Sequence, residues 1–577
     1  MSESWIDQVV ERNKSFESDH SSALADFNRN YRMYRGIPTR RRAENQSNTH
    51  IPEMLVEVEA LATAVHEMVF SDQSGAKFFD VVGEGPEDIP RALVTKGVIS
   101  KQLEVNEFET KTLPFFRMLI LQGSYPVDIP WSLEYKSYWD KGARVRKPAF
   151  DSWDFEPFNI LNFAFDDTVS DIEKGTWTQR VQDVNAMVAR KMARAGVWEE
   201  SAVKAALEEG MKRSTYWDQQ RKDAGYLDSS KAAGMSVIHD WGVLDGPDYE
   251  PGEVYWSVCT RDGKPLKAPE INPYDHGENP FLMGKWIALP DEPYAMGVGH
   301  VNAKQQTEIN DRRNFINDLL MASLYCMWLK RSDAGFNLPG GVMRFNPLKI
   351  IEADGVSEEF FRALRPDLAG LVPAMNLESA DRETMRRNSG ATSSLQAIAT
   401  GITATESQSI QSEATRRVKA MVRAQVATLL KKFLYRVHAL NTQFLDLPIV
   451  ARITNEDGSS VYGEVSREDL LLQPDIRMKI TTDLDFRPFK RRELLEMLQI
   501  FSQLEKNYPT RKFTPEPIIE ELAATYGMNP RRFLTREGAL EMETRRATMT
   551  PQVQQRALQE VMSESPAAQE VLAGAGV

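Results

Sequence analysis

Apolar residues recur at helical spacing through long stretches of this chain and alternate or cluster in shorter ones. Residues 3–34 read as a helix that stops at Tyr34-Arg35-Gly36-Ile37-Pro38, where a glycine followed two residues on by proline ends the run. A second helix is expected over about 52–70, with Met54, Val58, Leu61, Val65 and Met68 on one face. A strand at 78–82 and helices at about 89–106 and 108–122 follow. Over 124–180 the texture changes to short aromatic-rich runs divided by turn residues, which predicts strands and loops. Residues 183–214 return to a helical pattern. Strands are then expected at 235–243, 253–260 and 280–288, the last two joined by a turn containing Asp262-Gly263, with 272–280 as a loop.

The next section carries the longest periodic patterns. A helix is predicted over about 301–329, with Ile309, Ile316, Leu319, Leu320 and Leu324 as its apolar side. An insert over 332–369 holds Pro339-Gly340-Gly341, strand-like runs at 342–345 and 348–352, and a short helix after Ser357. A shorter helix is predicted over roughly 377–387. Residues 389–403 then contain no charge, no proline, two glycines and many small side chains. Thr403-Ala404-Thr405-Glu406 fits a capping box, and the helix it opens reaches about Phe444. Val418, Val422, Val426, Leu429, Phe433, Val437 and Leu440 follow at spacings of three and four, a helical seam. Such a helix would be about 60 Å long at 1.5 Å per residue. Strands at 448–454, 461–465 and 475–482, helices at 490–506 and 515–526, and a polar tail from Glu537 complete the pattern. The fold class expected is α+β, predominantly helical.

At 577 residues the chain exceeds one compact core, and its length suggests three or four domains. Hydrophobic residues make up 42% and charged residues 27%, so disorder is not the default. No apolar run approaches the roughly 20 residues needed to cross a bilayer, and the N-terminus lacks the pattern of a secretory signal. Cys259 and Cys326 stand far apart in apolar settings, which reads as two buried free thiols in a reducing compartment. The net charge of −13 disfavours tight wrapping of nucleic acid, because phosphate neutralisation needs clustered Lys and Arg.

Catalytic patterns are scarce. Gly75-Ala76-Lys77 lacks the glycine frame and the hydroxyl residue of a phosphate loop. Gly297-Val298-Gly299 lacks the third glycine of a dinucleotide site and reads as a turn at a helix start. The seven histidines are scattered, and His276 with Asp275 and Glu278 forms the one tempting local cluster, which reads as a solvated loop. No metal site, cofactor site or nucleophile elbow is expected, and the chain reads as an assembly protein, not an enzyme.

The order of the pieces resembles a known family. Tyr34-Arg35-Gly36 precedes a polar loop and the segment Ile51-Pro52-Glu53-Met54-Leu55. Pro280-Phe281 and Met296-Gly297-Val298-Gly299 lead into a helix carrying Gln305, Asn310 and Arg313. Ser389-Gly390-Ala391-Thr392, then Thr403-Ala404-Thr405-Glu406 and Arg416-Arg417, complete the series. This resembles the portal, or head-to-tail connector, protein of tailed double-stranded DNA bacteriophages, over most of residues 3–530.

The resemblance implies a homo-oligomeric ring, usually of twelve subunits, at one capsid vertex of the virion, formed by a protein made in the host cytoplasm. Such a ring passes viral double-stranded DNA and docks terminase, capsid protein and tail adaptor proteins, with no membrane involved. It divides the chain into a wing (1–300), a first stem helix (301–331), a clip (332–370) and a second stem helix (371–388). A tunnel loop (389–403), a long wing helix (404–445), a wing β segment (446–489) and a short crown with tail (490–577) follow. Within the loop, Ser393, Ser394, Gln396 and Thr400 would face DNA. Small uncharged side chains suit that place, because strong cationic clamps would hold the phosphates. Arg382, Arg386 and Arg387 would meet the channel or a neighbouring subunit. Two other readings stay open: another head-tail connector or adaptor protein, and a metal-dependent nuclease with dispersed ligands.

Overall fold

The computed structural model describes residues 4–38, 46–70, 78–83, 88–140, 143–225, 234–324, 327–330, 361–364, 367–390, 417–446, 449–454, 460–471 and 475–478. The chain opens with helices α1 (Trp5–Asp19), α2 (Ser21–Tyr34) and α3 (Glu53–Phe70), strand β1 (Phe79–Val82), and helices α4 (Ile89–Val105) and α5 (Phe108–Gln122). Strands β2 (Ser124–Asp128), β3 (Trp131–Asp140), β4 (Ala143–Trp153), β5 (Glu156–Pro157), β6 (Phe163–Phe165) and β7 (Trp177–Asn185) follow. Short helices α6 (Ala186–Arg194), α7 (Glu200–Glu209) and α8 (Thr215–Asp223) lead to β8 (Gly234–Gly242), β9 (Tyr255–Thr260), β10 (Pro265–Ile271) and β11 (Phe281–Lys285). Next come α9 (Val298–Leu324), β12 (Met327–Lys330), β13 (Phe361–Leu364) and α10 (Leu371–Ser389). A helical run over 417–444 contains one π turn (Val422–Val426) ahead of α11 (Ala427–Phe444). Strands β14 (Ile449–Thr454), β15 (Ser460–Val465) and β16 (Asp475–Met478) come last. The architecture is α+β, with more helix than strand.

The largest core gathers around the helical run 417–444. Its seam is buried at every predicted position from Val418 to Leu440. Phe433 stacks on Phe108 at 4.8 Å between ring centres and meets Trp153 edge-on at 5.1 Å. Helices α3 and α5 supply Met54, Val58, Leu61, Val65, Phe115 and Leu119 to the same core. Strand β1 closes it by pairing antiparallel with β16, Phe79 opposite Met478.

A five-stranded antiparallel sheet, in the order β10-β9-β8-β7-β6, forms the second body of packing. Alternation decides its faces. Val237 and Val258 turn toward α6 and α7, whereas Ile238 and Cys259 turn toward Val9 of α1. Cys259 is therefore a buried thiol, with burial pushing its pKa up; Cys326 lies outside the described residues.

The structure departs from the sequence-based expectations at several places. The predicted helix over 3–34 breaks at His20, whose ring stacks on Phe16 at 4.1 Å and bonds Asp167 at 3.0 Å. Residues 183–185 belong to β7, not to a helix, because Asp183, Val184 and Asn185 pair with Ser236, Met235 and Gly234. Asn185 then caps α6 by accepting from the Met187 amide. The Asp262-Gly263 turn joins β9 to β10, a strand missed in the alternation, while β11 pairs with β2. Helix α9 ends at Leu324, and 327–330 is a strand because it pairs with β13. That pairing also replaces any helix at 361–364. The runs expected at 342–345, 348–352, 490–506 and 515–526, and the tail, lie outside the described residues.

Candidate functional site: paired helices and their polar seam

Helices α9 and α10 run antiparallel, and their polar contacts set the register. Near one end Asn302 Nδ2 donates to the Met385 carbonyl at 3.0 Å. Further along, Arg313 pairs with Glu378 at 2.5 Å, and Arg312 pairs with Asp381 and donates to the Leu377 carbonyl at 3.3 Å. The same antiparallel sense continues past the helices, where Met327 lies opposite Leu364. With 27 residues α9 is about 40 Å long.

One face of α9 carries Asn302, Gln306, Asn310 and Asn314 at four-residue spacing, and three of them grip an extended segment ahead of α3. Gln306 Oε1 accepts from the Met54 amide at 2.9 Å while its Nε2 donates to the Ile51 carbonyl at 2.7 Å. Asn310 Oδ1 accepts from the Ile51 amide at 3.0 Å. Asn314 accepts from the Thr49 amide at 2.6 Å and donates to its carbonyl at 3.0 Å. Asp318 accepts from the Ser47 amide at 2.6 Å. The match is geometric: four helical residues advance about 6 Å, and two strand residues advance about 6.6 Å. Side-chain amides thus replace a neighbouring strand and satisfy backbone groups that would otherwise lack partners.

The seam ends at a buried carboxylate. Glu57 of α3 is 1% exposed and accepts from Asn302 Nδ2 at 2.8 Å. Burial pushes its pKa up to about 7, against the opposing bonds from Asn302 and the Ser389 side chain. Helix α10 stops one residue further on, at Gly390, whose φ of +78° is left-handed and whose amide donates to the Arg386 carbonyl at 3.0 Å. The uncharged segment starts there.

Ser393, Ser394, Gln396 and Thr400 lie outside the described residues. The three arginines are on α10. Arg382 is held inside the chain by Glu53 at 3.0 Å and Glu378 at 2.7 Å. Arg386 sits close enough to Glu57 for its charge to lower that pKa. Arg387 is 77% exposed and reaches back one turn to Glu383 at 3.2 Å. Of the three, Arg387 leaves its guanidinium in solvent.

Away from this junction the helix pair also carries exposed apolar side chains. Phe315, Leu320, Met321 and Leu324 of α9 are exposed, as are Val372, Met375 and Leu377 of α10. Ile309 and Ile316 are buried, but the apolar side expected to run on through Leu320 and Leu324 becomes increasingly exposed, 39% at Leu320 and 75% at Leu324.

The remaining candidates are structural in this geometry. Gly297 and Gly299 let the backbone at the start of α9 cross that of 121–123; a Cβ at Gly299 would meet the Leu121 carbonyl oxygen at 2.7 Å. His276 accepts from the Glu278 amide at 3.0 Å and stacks on Tyr274, while Glu278 pairs with Arg436. Among the described residues no three His, Cys, Asp or Glu side chains converge as a metal would require. No helix among them is long and apolar enough to cross a membrane. The amide ladder could have been found in the sequence, since Asn, Gln, Asn, Asn at i, i+4, i+8 and i+12 is a polar stripe where an amphipathic helix needs none.

The comparisons with known proteins add no relative: no family model matches this chain, and no curated protein matches it.

Proposed function

We propose that this chain is a portal protein of a tailed bacteriophage: a subunit of a homo-oligomeric ring through which viral double-stranded DNA is packaged and ejected. The observation that carries this reading is the antiparallel pair α9–α10, which among the described residues leaves Phe315, Met321, Leu324, Val372, Met375 and Leu377 exposed beside its polar contacts, with a strand-bordered insert between its helices. A solvated helix pair in a monomer should be polar there. Exposed apolar side chains grouped on one helix pair support a surface that another copy covers. The uncharged segment directly after α10 supports the same reading, because a loop beside moving DNA must exchange contacts easily. In this reading Glu57, Asn302 and Ser389 anchor the base of that segment to the rigid seam, and the ring docks terminase and tail adaptors at a capsid vertex.

Electron microscopy and native mass spectrometry of the purified chain test it. Closed rings with a central hole, at a single stoichiometry or two neighbouring ones, are expected. A chain that stays monomeric at tens of micromolar would overturn the reading.

A further inference from the structure

We propose that copies of this chain interlock head to tail, the exposed face of α6 in one copy entering the groove along α1 in the next. This rests on the ring-forming reading above and specifies where neighbouring subunits grip.

The two surfaces are on opposite sides of one sheet. Helix α6 packs through Ala189 on the side of Val184, Met235 and Val237. Helix α1 packs through Val9 on the side of Ile238 and Cys259. Residues 237 and 238, like 258 and 259, are neighbours in a strand and therefore point to opposite faces. A contact between different patches on opposite sides of one body repeats in one direction, and it closes into a ring where the rotation allows.

The α6 surface is built to be covered. Met187 is 80% exposed and Val188 46%, with Met192 beside them at 37%. Arg190, Lys191 and Arg194 are exposed around these apolar residues, and among the described residues none has a carboxylate within 4 Å. No acidic residue occurs between 185 and 198, in a chain whose net charge is −13.

The groove along α1 has the opposite character. Glu11, Asp19, Asp167 and Asp245 rim it, and Phe165 and Trp177 line its wall. Its arginine, Arg12, is turned inward, donating to the Val243 carbonyl at 2.6 Å and lying 3.8 Å from buried Asp240. Thus Glu11 and Asp245 remain exposed without a cation among the described residues. Methionine thioethers fit irregular apolar walls and favour aromatic edges. Arginine and lysine on that rim would gain charge-assisted bonds and a fixed register. A second copy is the occupant that brings three cations around a methionine knob to an acidic, aromatic groove, in the direction a ring needs.

The test uses the full chain. A mixture of isotopically light and heavy protein is treated with a carbodiimide, which joins a lysine directly to a carboxylate it touches, and mixed-isotope links are identified by mass spectrometry. Rings are counted by electron microscopy. Links from Lys191 to Glu11, Asp19, Asp167 or Asp245 of the other isotope are expected. R190E/R194E should lower the ring fraction at least tenfold with its thermal melt unchanged, and adding E11R/D245R should restore rings. If R190E/R194E assembles at wild-type yield, or Lys191 forms no link in intact rings, the contact is overturned and the ring reading stands. If the unmodified chain forms no rings, both fall.

Discussion

The helical run over 417–444 and helix α9 are of comparable length and both carry an apolar seam, yet they end in different surroundings. The first buries its seam from Val418 to Leu440 against α3, α5, Trp153 of β4 and Phe155. The second buries Ile309 and Ile316, then leaves Leu320, Met321 and Leu324 to solvent. From Asn302 to Asp318 it is held by polar bonds as well, through the side chains that clasp 47–54 and the carboxylate of Glu57. A seam of period 3.6 says that a helix will be covered on one side; it does not say by what. In one helix the cover is the same chain, and in the other we place it in a neighbouring subunit.

The contrast can be broken at graded points. Phe433→Ala should cost most, about 3–5 kcal/mol, because it opens a cavity among Phe108, Trp153 and Phe155. Chemical denaturation would read this as a lower midpoint, and a loss under about 1 kcal/mol would mean that this core is not the one holding the chain.

Glu57 should give the next largest effect, and only above acid pH. Its pKa is raised from 4.5 to about 7. The folded chain therefore keeps a proton that the unfolded chain releases. The contribution is fully present below about pH 4.5 and is lost as pH rises through about 7, a change of about 3 kcal/mol. Glu57→Gln should remove that dependence and melt higher than the unmodified protein at pH 8. Parallel pH–stability curves for the two proteins would rule out a buried proton at this position.

Gln306→Ala should cost about 2 kcal/mol, since it strands the buried Met54 amide and takes one of two donors from the Ile51 carbonyl, which keeps the Glu53 amide. Hydrogen exchange should speed up over 47–54 more than in the sheet, which distinguishes loss of the ladder from general destabilisation. The smallest folding effect is expected from Met321→Ser with Leu324→Ser, within about 0.5 kcal/mol for an exposed position. The same pair should abolish rings. A large loss of monomer stability would place their cover inside the chain.

Much of the framework was legible from periodicity. Helices α3, α4 and α5 begin and end within a residue or two of the expected positions, and α11 stops at the expected Phe444, while the capping box and 404–416 lie outside the described residues. Helix α10 runs from Leu371 to Ser389, six residues earlier and two later than the helix expected over roughly 377–387. Strand partners were less visible. The alternation in 265–271 is too polar to stand out, with Lys267, Glu270 and Ile271 all half or more exposed or ion-paired, so β10 was passed over and β11 was given its turn. The α10 arginines were legible as a cationic cluster, but not that Arg382 is taken by Glu53, a residue of α3.

What the sequence determined by itself is local: which segments have a face to bury, where turns and caps interrupt them, and that 389–403 carries no charge. These follow from neighbours within a few residues. Only the tertiary structure decided what each face meets, because that depends on groups hundreds of residues apart, as when β1 finds β16 or Gln306 finds Ile51. The same holds for Glu57, whose raised pKa comes from burial beneath α9 and α10 and from no feature of its own helix.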